Sequence, residues 1–317
     1  MTFLYVVSGN SNSKYSLMTR ISAATLRISN PEAKIVLAID KDSAQNLLKS
    51  QDCLLNEVDE VLEIETPSGS NGFKSRFIKT SLGFLMNTPF IFIDSDTVIR
   101  KKIDKKILGD FSIGAARNHS RDIVDEQIWI GDRDVFQQMN WQLPNEFYLN
   151  SGVIYFGGNE ESKILSHFWH KYWLDSYTKT GVYRDQPALS KAIMDIKANV
   201  LLLDNSYNAQ VKSRLFFSKN NDTDNLDWDA HIWHVYADHD HNPITQFEYV
   251  VNKVEKYGVI NKSDIKKLIR FKHPWKRQTI LDDFFAFKIK KLNRIKYPYL
   301  FWFEGKRIKA IKKILFK

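Results

Sequence analysis

Cysteine is almost missing from this chain of 317 residues. Cys53 stands alone, which rules out an internal disulfide framework and a cysteine-ligated zinc cluster, and fits a reducing compartment. Also missing is any run of roughly 18 consecutive apolar residues, so no segment reads as a bilayer-spanning helix. The opening residues, Met1-Thr2-Phe3-Leu4-Tyr5-Val6-Val7, have neither a basic n-region nor a long apolar h-region, and are expected to form a first strand and not a signal peptide. Acidic charge is what the end of the chain lacks. Between Phe284 and Lys317 eleven lysines and arginines face a single acid, Glu304, so the net charge of +9 belongs to the tail and residues 1–283 are close to neutral.

What is present is a chain with 43% hydrophobic and 13% aromatic residues, enough for a large core. Phe3–Val7, Ala33–Ile39, Glu60–Ile64 and Phe90–Asp94 read as strands. Between them, Tyr15–Ile28, Ser43–Ser50 and Phe73–Asn87 have helical spacing, and this βαβαβ alternation predicts a parallel sheet covered by helices. Further strands are expected at Phe111–Ala116, Val153–Phe156, Val200–Leu203 and Ala230–Tyr236. Helices are expected at Ser162–Tyr177, with a core-facing stripe of Ile164, Leu165, Phe168, Trp169, Tyr172 and Trp173, and after Asp185, which reads as an N-cap followed by Pro187. A domain over residues 1–242 and a helical extension over 243–317, basic and aromatic from about 284, follow from this pattern.

The chain is organised around Phe90-Ile91-Phe92-Ile93-Asp94-Ser95-Asp96, a strand buried on both faces that ends in two acids. Ligands of open α/β sheets lie outside the carboxyl ends of the strands, and residues i and i+2 of an extended segment point the same way. Asp94 and Asp96 could therefore converge on one hard divalent cation.

Asp94-Ser95-Asp96, Asn150-Ser151-Gly152-Val153, Asp185-Gln186 and His234 follow one another in an order that resembles the nucleotide-sugar glycosyltransferases of GT-A fold. The nearest likeness is to the family 8 type, which includes glycogenin and bacterial lipooligosaccharide galactosyltransferases, and it covers roughly residues 3–240. It implies a mixed, Rossmann-like sheet flanked by helices. It also implies a nucleoside-diphosphate sugar donor, UDP favoured, and Mn²⁺ or Mg²⁺ held by Asp94, Asp96 and His234. A histidine ligand suits Mn²⁺ better. His231, three residues earlier, is the competitor, and His239 and His241 read as a solvated turn.

Carried over residue by residue, the resemblance implies that Asn150 and Ser151 face the sugar or acceptor. Asp185 would bind sugar hydroxyls, and Gln186 would lie beneath the anomeric carbon. Ser8, Tyr15 and Ser95 are expected at the nucleotide, with Asp40 either at the base or ribose or merely a turn former. Arg76 or Lys79 would meet the diphosphate, and one sequence does not decide between them. The chain departs from the family pattern after the metal histidine: Val235-Tyr236-Ala237-Asp238 stands in place of Gly-x-x-Lys-Pro-Trp, and Lys272-His273-Pro274-Trp275 comes about 40 residues later. Lys212 or Arg214 could supply the missing phosphate contact.

The expected activity is hexosyl transfer, with retention, to a glycan or lipid-linked acceptor. A nucleotidyltransferase should carry a Gly-rich basic loop after its first strand, whereas Ser8-Gly9-Asn10 has one glycine and no arginine. A non-catalytic membrane-associated protein on the same fold is the other alternative. From Phe284 onward, interleaved aromatic and basic residues, and a helix-spaced Ile308, Ile311, Ile314 and Leu315, predict contact with an anionic membrane surface from the cytoplasmic side. Nucleic acid is not expected, because the body adds no basic surface.

Overall fold

The computed structural model describes residues 1–10, 13–104, 109–211, 229–235, 245–271 and 274. Four parallel strands form first: β1 (Thr2–Val7), β2 (Lys34–Asp40), β3 (Glu60–Ile64) and β4 (Phe90–Ile93). The helices between them are α1 (Lys14–Ser29), α2 (Lys41–Ser50) and α3 (Asn71–Leu85). Each begins at a side-chain cap, Ser13, Asp40 and Ser70 accepting from Ser16, Ser43 and Phe73 backbone N–H groups. Asp40 is thus a capping residue: its carboxylate also takes the Ser43 hydroxyl at 2.6 Å and the Lys74 ammonium at 3.0 Å.

The chain continues through β5 (Thr97–Ile99), β6 (Ile113–Arg117), α4 (Val124–Gln127), α5 (Ile130–Met139), β7 (Leu149–Phe156), α6 (Glu160–Thr180) and α7 (Gln186–Ile196). β8 (Val200–Leu202), β9 (Ala209–Val211), β10 (Ile232–Val235), α8 (Gln246–Tyr257) and α9 (Lys262–Arg270) complete it. The main sheet runs β3-β2-β1-β4-β7-β6-β8, with β7 antiparallel to both neighbours, and a second sheet runs β5-β10-β9. The strand order reverses between β1 and β4, which opens a crevice at their carboxyl ends. Ser8 follows β1 and Asp94 follows β4 at that crevice.

Most of the α6 stripe packs inward: Leu165, Trp169 and Trp173 are fully buried and Phe168 and Tyr172 partly so, whereas Ile164 faces solvent, contrary to expectation. Gly83 of α3 permits this approach, since a Cβ there would meet Ser166 at 2.7 Å and the Phe156 ring at 2.8 Å. The same stripe holds the chain before α7, the Trp169 indole donating to the Asp185 carbonyl at 2.9 Å. Phe247, Val250, Val251 and Val254 of α8 share a core cluster with Leu17, Met18 and Ile21 of α1 and Trp233 of β10.

His170, on α6, is bonded to Thr80 Oγ1 at 2.7 Å and set edge-on to Phe77. Burial, with the nearby His167, drives its pKa from 6.5 down to about 4. The unfolded chain therefore takes up the proton first as pH falls. Stability from the neutral ring is complete above about pH 6.5 and is lost as pH drops toward 4. Between pH 7 and 4.5 the loss should reach about 2 kcal/mol, and urea denaturation of His170→Gln at both pH values should show a smaller decline than the parent chain.

Candidate active site

Backbone pairing brings the acids and the histidine together. The Asp94 N–H donates to the Gly152 carbonyl on β7 at 2.7 Å, and the Val235 N–H on β10 donates to the Asp96 carbonyl at 2.7 Å. β10 is antiparallel to β5, with His234 opposite Thr97. The His234 Nε2 lies 3.2 Å from Asp96 Oδ1 and 3.9 Å from Asp94 Oδ2. One ligand atom from each of the three residues lies within 4.8 Å of the other two, a set of two oxygens and one nitrogen that fits Mn²⁺ or Mg²⁺. His231 is not in this group; its ring stacks on Tyr207 with centroids 4.5 Å apart.

Gly152 makes room for the histidine. A Cβ at that position would overlap the His234 ring, and neither is at a flexible surface, His234 being buried. Gly152→Ala should therefore displace the ring and lower metal affinity at least tenfold, measured by Mn²⁺ titration, while the strand itself persists.

On the other side of the acids sits Lys79, a lysine 2% exposed. Its ammonium is 2.9 Å from Asp185 Oδ2 and 3.5 Å from Asp94 Oδ1, donates to Ser151 Oγ at 3.1 Å, and lies over the Phe92 ring. Ser151 Oγ in turn donates to Asp185 Oδ1 at 3.1 Å. Asp185 stands at the N-cap position of α7, with Pro187 in the first turn as expected, but its side chain is committed to Lys79 and Ser151 and makes no capping bond. The ion pair draws the carboxylate into the site and away from the helix end. Arg76, one turn earlier on α3, is 3.9 Å from Asp185 Oδ2 and remains about one-third exposed. Lys79 thus buttresses the acids, and Arg76 is the cation open to a ligand.

Electrostatics separates the two acids. Burial pushes the Asp94 carboxyl up, against the pull of Lys79 and Arg76. Burial also opposes charge on Asp96, yet the adjoining His234 more than offsets it and holds that carboxyl below the usual range. The His234 ring is raised despite burial because Asp96 faces it. Asp185 likewise stays ionised: burial opposes its charge, and Lys79 and Arg76 prevail.

The remaining expected residues are placed as follows. Ser95 Oγ accepts from Thr19 Oγ1 at 2.7 Å, which ties α1 to the acid turn. Tyr15, on the first turn of α1, is 63% exposed and electrostatically close to Arg76. Ser8 Oγ is buried with no hydrogen-bond partner among the described residues. Asn150 is 1% exposed and bonded to other amides. Lys212, Arg214, His239, His241, Lys272 and Trp275 lie outside the described residues.

Several participants escaped the sequence reading. Asn118 and Asn208 are buried beside Asn150, and Asp132, Tyr148 and Arg184 line the flank next to Asp185. Arg184 is 3.2 Å from Asp132 and stacks at 3.8 Å on Trp129, which is 46% exposed. Burial pushes the Asp132 carboxyl up to about 6 even with Arg184 beside it. The run Asp185-Gln186 could have pointed to Arg184, but Trp129 and Asp132 come from a segment without strong periodicity.

No family model matches the sequence, and no curated protein matches it. Among solved structures, the chain is similar to galactosyltransferase LgtC in complex with donor and acceptor sugar analogs. The identity is 15% and the TM-score 0.53, over 84% of this chain and all of the other. An active-site mutant of LgtC gives 14% identity and a TM-score of 0.52, over 83% of this chain and 98% of the other. The chain has the GT-A fold.

Proposed function

We propose that this protein is a metal-dependent glycosyltransferase that moves a hexosyl group from a nucleoside-diphosphate sugar, UDP-linked for preference, to a glycan or lipid-linked acceptor. The observation that carries this reading is the convergence of Asp94, Asp96 and His234 beside the Lys79–Asp185 pair, at the switch point of a GT-A sheet. When bound at the triad, Mn²⁺ or Mg²⁺ would act as a Lewis acid neutralising charge on the departing diphosphate. Arg76 would meet the same phosphates from α3, and the buried Ser8 hydroxyl and exposed Tyr15 would line the approach for the nucleoside.

Asp185, ionised and pinned by Lys79 and Ser151, would accept hydrogen bonds from donor-sugar hydroxyls. Gln186, at the start of α7, would lie beneath the anomeric carbon. In a retaining transfer the bond from the anomeric carbon to the diphosphate breaks, and the acceptor oxygen bonds to the same face. The diphosphate takes the acceptor's proton, and the sugar passes through an oxocarbenium-like state whose charge the preorganised carboxylates and amide stabilise. Trp129, with Arg184 stacked on one face, and the Asp132–Arg184 pair form the flank on which the acceptor would rest.

Calorimetric titration of the full chain with UDP and then GDP, each with and without Mn²⁺, tests the reading. UDP binding that requires the metal is expected; absence of metal-dependent binding to either diphosphate would overturn it. Among the described residues no helix is long and apolar enough to cross a membrane. Contact with an anionic membrane from the cytoplasmic side is proposed from the sequence pattern beyond Phe284, and co-sedimentation with phosphatidylserine vesicles would show it.

A further inference from the structure

His234 does not stand alone behind the acids. Its Nδ1 lies 3.0 Å from Asn208 Oδ1, the Asn208 Nδ2 donates to Asn150 Oδ1 at 2.8 Å, and the Asn150 Nδ2 donates to Asn118 Oδ1 at 3.0 Å. Asn118 Nδ2 then donates to the backbone carbonyl of Gln127 at 2.6 Å. All four side chains are at most 2% exposed.

The two ends of each amide look alike in outline, and so do the two nitrogens of an imidazole, so partners must decide which is which. Two backbone groups decide here, because neither can reverse its role. The Gln127 carbonyl can only accept, so Asn118 must turn its NH₂ to it and its oxygen to Asn150. The Gly152 N–H can only donate, and it meets Asn150 Oδ1 at 2.9 Å, so that atom is the oxygen. Asn150 is thereby oriented from both sides. Asn208 must then present NH₂ to Asn150 and oxygen to His234, and an oxygen facing Nδ1 requires a proton on Nδ1.

We propose that Asn118, Asn150 and Asn208 form a polarised amide relay that keeps His234 protonated on Nδ1, so that Nε2, which faces Asp94 and Asp96, is the nitrogen that gives up its proton to bind a metal. The three asparagines are positioning residues for the metal ligand. Asn150, whose family resemblance points it at the sugar, serves His234 through Asn208. The same Gly152 that clears space for the ring with its missing Cβ also orients the relay with its N–H, which ties the Asn150-Ser151-Gly152 run to one task. Metal-bound histidines commonly have the other ring nitrogen held by an outer acceptor, and removing such an acceptor costs about 10–100-fold in metal affinity. This inference rests on the metal-site reading above for its purpose, but the tautomer itself does not depend on a metal.

The test therefore has two arms. Long-range ¹H–¹⁵N correlation spectra of the full chain, first metal-free and then with diamagnetic Mg²⁺, with His234→Gln used for assignment, should show Nδ1 protonated in both and Nε2 losing its proton when the ion binds. A bare Nδ1 in either state would overturn the relay. In the second arm, Mn²⁺ binding followed by electron paramagnetic resonance should weaken about 10–100-fold in Asn208→Leu. Asn208→Asp, whose carboxylate still accepts from Nδ1 but no longer donates to Asn150, should fall between wild type and Asn208→Leu. Unchanged affinity in a folded Asn208→Leu would also refute the proposal. If the wild-type chain binds no Mn²⁺, the metal reading fails while the spectra still decide the tautomer. They decide it equally if Asn208→Leu does not fold.

Discussion

Asp96→Ala is expected to abolish metal-dependent nucleotide binding and to lower any transfer rate by more than about 10³-fold. Metal-ion catalysis supplies several kcal/mol of charge stabilisation, and each 1.36 kcal/mol is a factor of ten in rate. Asp96 is one of only two carboxylates in the Asp94–Asp96–His234 set, and the one that His234 holds below the usual carboxylate range. The fold should survive the change. Asp96 raises the Asp94 carboxyl by repulsion, so removing it relieves one unfavourable contact while costing the 3.2 Å pairing with His234. Circular dichroism of the variant should match that of the parent, and calorimetry should register no UDP heat with Mn²⁺ present. Metal-dependent binding retained at wild-type affinity would move the site elsewhere.

Lys79→Met carries the largest expected cost in stability. The substituted side chain fits the same apolar stem position over Phe92, but it leaves Asp185 and Asp94 facing each other with no ammonium between them. Breaking a buried pair by removing one partner typically costs about 3–5 kcal/mol, because the remaining charge is stranded out of water. Chemical denaturation should show a loss of that order. Adding Asp185→Asn to Lys79→Met should restore part of it, since the stranded charge is then gone, and the non-additivity measures the pair. A single variant as stable as the parent would mean that Asp185 and Asp94 are held by other groups. Arg76→Ala, one turn away and partly exposed, should cost far less stability and act on phosphate binding.

Much of the fold was legible because its signals are local. β1 to β4 and the helices between them announce themselves by continuous apolar runs, helical spacing and Ser or Asp caps. β5 and β9 were not, since each is only three residues long and pairs with β10 far from it in sequence, β5 across more than a hundred positions. The α5 helix went unread for a related reason: it begins at Trp129 with no side-chain cap. Of the candidate site, the acids, His234, Asp185 and the choice of α3 as the source of cations were open to sequence reasoning. The division of labour between Arg76 and Lys79 was not. Both are basic and three residues apart; burial alone distinguishes them, and burial depends on where α6 and β7 pack. Asp185 stands at the N-cap position that the local rule assigned, but a lysine from α3, and not its own helix, holds the side chain.

By itself, then, the sequence determined the alternation of strands and helices, the acid pair at the end of the fourth strand, and the ordered set of polar residues that resembles a GT-A transferase. These are written in periodicity and in short motifs, which act over a few residues. Tertiary structure settled His234 over its competitor His231, and it alone decided that Lys79 is sealed beneath the acids and that three asparagines, successively some thirty to sixty positions apart, align behind the histidine. Those outcomes depend on hydrogen-bond direction and burial across distant strands, and neither exists until the sheets have formed.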